Sequence, residues 1–123
     1  MKKILLPVLL VASLFAEDFI SEFEYGQMLY RDPRGVSCVP CHGETGEGKK
    51  IVSYHNNKGE KITISGPDIR AASLEQIRDS VKQGKGVMPK YFLTDKEIQT
   101  IHAYLQKVND DNTSSNSEEN KDE

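Results

Sequence analysis

The chain has 123 residues, 37% of them hydrophobic, and its 16 basic against 19 acidic side chains give a formal charge of −3. That length holds one domain and rules out a multidomain enzyme. The surplus acidity lies beyond residue 108, while residues 17–108 balance at 13 basic and 13 acidic side chains, so nothing marks a nucleic-acid binder.

The chain opens on Met1-Lys2-Lys3 and then runs without a charge from Ile4 to Ala16. A helix of that length spans roughly 20 Å, short of the ~30 Å bilayer core. The order of basic, apolar and small residues reads as a Sec-type signal peptide over 1–16, cut after Ala16; an uncleaved anchor is the rival reading. The domain is therefore expected over 17–108, exported to the periplasm and with no stable membrane insertion once cut. It holds only 33 apolar residues and no Trp, a thin supply for a core without a disulfide, metal or cofactor. Phe19, Phe23, Met28 (loosely) and Tyr30 follow helical spacing from about Glu17, and Pro33 ends the run. Gly26 inside that helix costs about 1 kcal/mol against Ala, which points to a packing reason such as a helix crossing.

The only cysteines stand in Cys38-Val39-Pro40-Cys41-His42. A redox disulfide would want a βαβ context, which the pattern does not show. A zinc site needs four ligands, and His55 and His102 are poorly placed to complete one. The third chemistry is covalent haem c: each thiol adds to a porphyrin vinyl group, the two-residue spacer lets both sulfurs reach one ring edge, and His42 follows as an axial ligand to the iron. Export favours this third reading.

Further along, Ile51-Val52 and Ile62-Thr63-Ile64 flank an Asn57-Lys58-Gly59 turn, a short hairpin or extended loop. Ser73 with Gln76 forms a capping box, followed by Leu74, Ile77 and Val81 on one helix face, with Gly84 closing it. In Gly84-Lys85-Gly86-Val87-Met88-Pro89-Lys90 the glycines allow close approach and Pro89 stiffens the peptide after the sulfur, so Met88 is the best candidate for a second axial ligand. His55 in its polar turn and an open iron are the alternatives; Met28 and His102 read as helix-face residues. Thr94 with Glu97 is a second capping box, and Ile98, Ile101, Tyr104, Leu105 and Val108 form an apolar stripe down the last helix. Residues 109–123 contain no apolar side chain and read as a disordered acidic tail.

Taken together, residues 18–108 resemble a class I cytochrome c, a small all-α fold of three to four helices wrapped around one covalent haem. The resemblance rests on Cys38–His42, on Gly66-Pro67-Asp68, on Val87-Met88-Pro89 followed by Leu93–Ile98, and on Ala103-Tyr104-Leu105. It implies that the Pro67 carbonyl accepts a hydrogen bond from His42, and that an aromatic of the last helix crosses Gly26. It also implies that Cys38, Cys41, His42, Pro67 and Met88 bind the haem, with His42 and Met88 on the iron. The link 31–37 is longer than in the family's shortest members. Val36, Ile69, Leu74, Ile77, Phe92 and Ile98 are expected to pack against the porphyrin. The role implied is not that of an enzyme but of a monomeric one-electron carrier, between a quinol-oxidising complex as donor and a terminal oxidase or reductase as acceptor. The alternatives are an electron-relay subunit of a larger redox enzyme, or a peroxidase or gas sensor if the iron is open. Lys49, Lys50, Lys82, Lys85 and Lys90 are candidates for a basic docking patch.

Overall fold

Ser21 opens the first helix, α1 (Glu22–Arg31), in the computed structural model, which describes residues 20–119. The expected signal peptide and Phe19 lie outside the described residues. Ser21 Oγ accepts from the Glu24 N–H at 3.1 Å, and the Glu24 carboxylate accepts from the Ser21 N–H at 3.1 Å. This reciprocal cap satisfies two N–H groups that no helical carbonyl can reach. It starts the helix after the Glu17 that periodicity alone indicates. The Asp32 N–H closes the last turn on the Met28 carbonyl at 2.8 Å, and Pro33 follows. Within α1, Leu29 and Tyr30 face inward, whereas Met28, placed loosely on the inner face by spacing, is exposed.

A single helical turn, α2 (Val39–His42), precedes an antiparallel pair, β1 (Lys49–His55) and β2 (Lys61–Gly66). Val52 faces Ile64 and Tyr54 faces Ile62, with an irregularity between Lys50 and Val52. The hairpin expected near 51–64 is thus present and extends to Lys49 and Gly66, adding a small sheet to the all-α expectation. Helix α3 (Leu74–Gln83) begins at the Ser73–Gln76 capping box and ends at Gly84, whose φ of 72° suits glycine. Helix α4 (Asp95–Glu119) begins at the Thr94–Glu97 box.

The core is where α1 and α3 meet α4. Leu29, Tyr30, Ile77, Val81, Leu93, Ile98, Ile101, Tyr104, Leu105 and Val108 are all buried there. Tyr104 stacks obliquely on Phe23 and Tyr30, with centroids 5.2 and 5.5 Å away. The α1–α4 crossing passes over Gly26: a Cβ there would lie 2.6 Å from the Thr100 carbonyl oxygen and 2.8 Å from the Tyr104 Cβ. Gly26→Val should therefore destabilise the fold by about 3 kcal/mol, the upper range for overpacking, measured as a fall in the guanidinium midpoint at constant slope.

Of the side chains expected against a porphyrin, Ile77 and Ile98 are buried in the helix–helix core, while Val36 and Phe92 are exposed, Phe92 at 95%. Two expectations need correction. The acidic segment after Val108 is not without structure: α4 runs on through Asn109 to Glu119. The buried half of α4 has already nucleated the helix, so each further residue adds one hydrogen bond at little cost. Thr113, Ser114 and Ser115 return their hydroxyls to carbonyls four residues back, and Lys107 reaches Asp111. Finally, Lys82 bonds Asp95 at 2.6 Å, which draws it out of the proposed basic patch. Among the described residues, no helix is long and apolar enough to cross a membrane.

Candidate functional site

Cys38, Cys41 and His42 occupy positions i, i+3 and i+4 of one helical turn, the spacing that places three side chains on one face. The turn is held at both ends. The Cys38 N–H donates to the Tyr30 carbonyl at 3.1 Å, and the His42 and Gly43 N–H groups return to Cys38 and Val39 at 2.9 and 2.8 Å. Two tyrosines of the core reach out to the following loop: Tyr30 donates to the Gly43 carbonyl at 2.6 Å and Tyr104 to the Glu44 carbonyl at 3.1 Å. Burial above all raises the Tyr30 phenol far above its ordinary range, so it stays a donor.

The two cysteines are not joined in a disulfide. Burial, and then the neighbouring Cys41, pushes the Cys38 thiol up to about 11. A thiol–disulfide catalyst needs the opposite shift, toward a ready thiolate. Zinc is no better served: among the described residues, no three His, Cys, Asp or Glu side chains gather as a metal cluster.

His42 is buried, and its Nδ1 lies 2.9 Å from the Pro67 carbonyl oxygen. A carbonyl can only accept, so Nδ1 carries a proton, and in the neutral imidazole the lone pair stays on Nε2. Close approach of β2 makes this possible. Gly66 lies against the backbone of Cys41 so tightly that a Cβ would collide with the Cys41 carbonyl. Asp68 then anchors the exit of this segment by accepting from the Arg70 backbone and guanidinium.

Met88 sits on a separate arm. Lys85 and Met88 exchange backbone hydrogen bonds of 3.1 and 2.9 Å around Gly86, whose φ is 57°. The partly buried Met88 packs on the core, and the arm returns to α3 where the Tyr91 N–H meets the Val81 carbonyl at 2.8 Å. The structure thus joins His42 to Pro67 directly, sets Cys38 and Cys41 on the same turn, and carries Met88 on its own tight loop. His55 lies exposed at the end of β1 opposite Lys61, and His102 is half-buried on α4.

The family model described as cytochrome c oxidase, cbb3-type, subunit III matches residues 21–105. The chain belongs to this family. It is a class I, monohaem cytochrome c domain, and cytochrome c domains carry out haem-based electron transfer rather than substrate chemistry. A search of the curated proteins and a search of the solved structures each gave no match.

The donor set suits the haem of a cytochrome c: two unbridged thiols and an oriented imidazole on one helical face, with exposed Val36, Val87 and Phe92 on the flanking segments as apolar surface for a porphyrin to cover. Sequence reasoning missed one contributor, Arg34. Its guanidinium pairs with the Glu97 carboxylate at 2.6 Å and donates to the Phe92 carbonyl at 3.0 Å. The Arg34 hydrogen bond, ahead of the Thr94 contacts, holds the Glu97 carboxyl down at about 2. A depressed carboxylate contributes stability above its ordinary value of 4.5, and that contribution is lost as pH falls toward 2. Wild-type protein should therefore lose thermal stability between pH 4.5 and 2 more steeply than Glu97→Gln, as followed by melting temperature.

Proposed function

We propose that this protein is a periplasmic one-electron carrier with a single haem c bound through thioethers at Cys38 and Cys41. His42 and Met88 are the axial ligands, and Pro67 orients the imidazole. The observation that carries this reading is the Cys38–His42 turn with its His42 Nδ1–Pro67 contact of 2.9 Å. When bound, the haem supplies a one-electron Fe(II)/Fe(III) couple, and two protein ligands leave the iron no open position for oxygen or peroxide. The chain's own share is positional. Tyr30 and Tyr104 pin the loop after His42, Pro67 fixes the imidazole tautomer, and the Gly84–Met88 turn presents the sulfur. The partners that fit are a quinol-oxidising complex as donor and a terminal oxidase or reductase as acceptor, met by a monomer whose surface charges govern encounter rates.

The test is protein purified from its native host, examined by optical spectrum and intact mass. A reducible haem spectrum and a mass raised by one porphyrin are expected; colourless protein at the polypeptide mass overturns the reading. Because the porphyrin would supply much of the apolar interior, polypeptide prepared without haem should lose most of its helical circular dichroism. Near-native ellipticity would count against that role.

The family description favours a second reading, a haem relay built into an oxidase assembly. Gentle solubilisation separates the two. A carrier migrates alone and exchanges partners, whereas a dedicated subunit co-purifies with its oxidase.

A further inference from the structure

Residues 34–36, in the link that leads into Cys38, are laced to residues 91–97, which follow Met88. Arg34 donates to the Phe92 carbonyl at 3.0 Å and pairs with Glu97 at 2.6 Å. The Tyr91 hydroxyl donates to the Val36 carbonyl at 2.8 Å, and Gly35 lies against the Tyr91 ring. Burial first, then the nearby Cys38 and Cys41, pushes the Tyr91 phenol up to about 12, so it stays a donor. Arg34 is the single non-glycine residue at positive φ among the described residues, at 57°. Asp32 steadies that conformation by accepting from the Arg34 N–H at 3.2 Å. A long side chain held in a conformation that L residues avoid is explained when its far end is fixed, here by one bond to the Phe92 carbonyl and one to Glu97 of α4.

We infer that Arg34 is a positioning residue, a latch that ties the segment entering the haem-attachment motif to the arm carrying Met88 and so holds the methionine sulfur on the iron. The inference rests on the His42/Met88 reading above. Its physical content is simple. An axial thioether leaves more readily when its arm can swing away, and the Arg34 and Tyr91 bonds hold residues 91 and 92, the exit of that arm, to the link. The guanidinium fork reaches a carboxylate and a carbonyl from two separate nitrogens held in one plane, where an ammonium has a single nitrogen.

The test is the rate at which added imidazole displaces the axial ligand of the ferric holoprotein. Wild type comes first: a ring-current-shifted methionine methyl in the ferrous proton spectrum, absent in Met88→Ala, establishes the ligand. Arg34→Gln is then expected to speed displacement about tenfold, the scale of one charge-assisted hydrogen bond. Arg34→Lys should fall between the two. Arg31→Gln removes the same charge from the same link, where the ion pair runs to Glu44 instead, and should leave the rate unchanged. Should Arg34→Gln fail to accumulate, Glu97→Gln keeps a residue that can complete the Thr94 cap and removes the charge alone, and should speed displacement in the same direction. A rate within twofold of wild type in the Arg34 or Glu97 variant, with the shifted methyl present in wild type, overturns the latch alone. A wild type lacking that methyl overturns the ligation reading and the latch with it.

Discussion

Replacing Gly66 with alanine is expected to abolish accumulation of haem-loaded protein, although the change adds one methyl group at the end of a short strand. The new Cβ would enter the space of the Cys41 carbonyl group and approach the Cys41 Cα at 3.3 Å. All of these are backbone atoms of the attachment turn, so no rotamer change relieves the collision. Either β2 retreats or α2 shifts. If β2 retreats, Pro67 moves away from His42 Nδ1, now 2.9 Å distant; if α2 shifts, the Cys38 and Cys41 sulfurs leave their common face. The control is Gly59→Ala, at the hairpin tip, where φ is 77° but nothing lies within 4 Å of the added methyl. That variant should lose about 1 kcal/mol to backbone strain and keep its haem. The measurement is haem absorbance per polypeptide for the two variants made in the native host. Equal, wild-type loading in both would show that the β2–α2 contact does not control attachment.

What the sequence made legible was mostly local. The Ser73–Gln76 and Thr94–Glu97 boxes and the apolar stripe from Ile98 to Val108 are set by neighbours three and four residues apart, and they stand where expected. The Ser21–Glu24 box carries the same signal, whereas aromatic spacing counted from Phe19 points to an earlier helix start. The crossing at Gly26 was legible for another reason: a glycine in a helix interior is unfavourable enough to need a partner, and Tyr104 and Thr100 provide it.

The remainder depends on contacts made across long stretches of chain. Arg34 reaches Phe92 over 58 residues and Tyr91 reaches Val36 over 55. No periodicity encodes such a pairing, and Arg34 in the linker read only as part of a longer link. Lys82 reads from the sequence as part of a basic patch, and its pairing with Asp95, 13 residues on, is a contact that spacing does not reveal. The acidic segment misled in the other direction. Composition shows that residues 109–119 can bury nothing, but not that a helix already nucleated by Ile98–Val108 will propagate through them.

Met88→Ala offers the second large effect, and it separates three candidate sulfur and nitrogen ligands that composition alone treats alike. The hydrogen bonds shaping the 85–88 turn are backbone to backbone, and Gly84 and Gly86 keep their positive φ whatever side chain stands at 88. The arm should therefore persist, and the loss should be confined to the thioether. A soft sulfur ligand favours Fe(II), so its removal should lower the reduction potential by on the order of 0.1 V, a fraction of the roughly 0.8 V that axial ligands command. The emptied position should let the ferrous protein bind carbon monoxide, which wild type should not. Met28, exposed on α1, and His55, exposed at the end of β1, make the comparison informative. Met28→Ala and His55→Ala should match wild type in potential and in carbon monoxide inertness. If His55→Ala opened the iron while Met88→Ala left it closed, the sixth ligand would belong to the hairpin, and the Gly84–Met88 turn would be a packing element only.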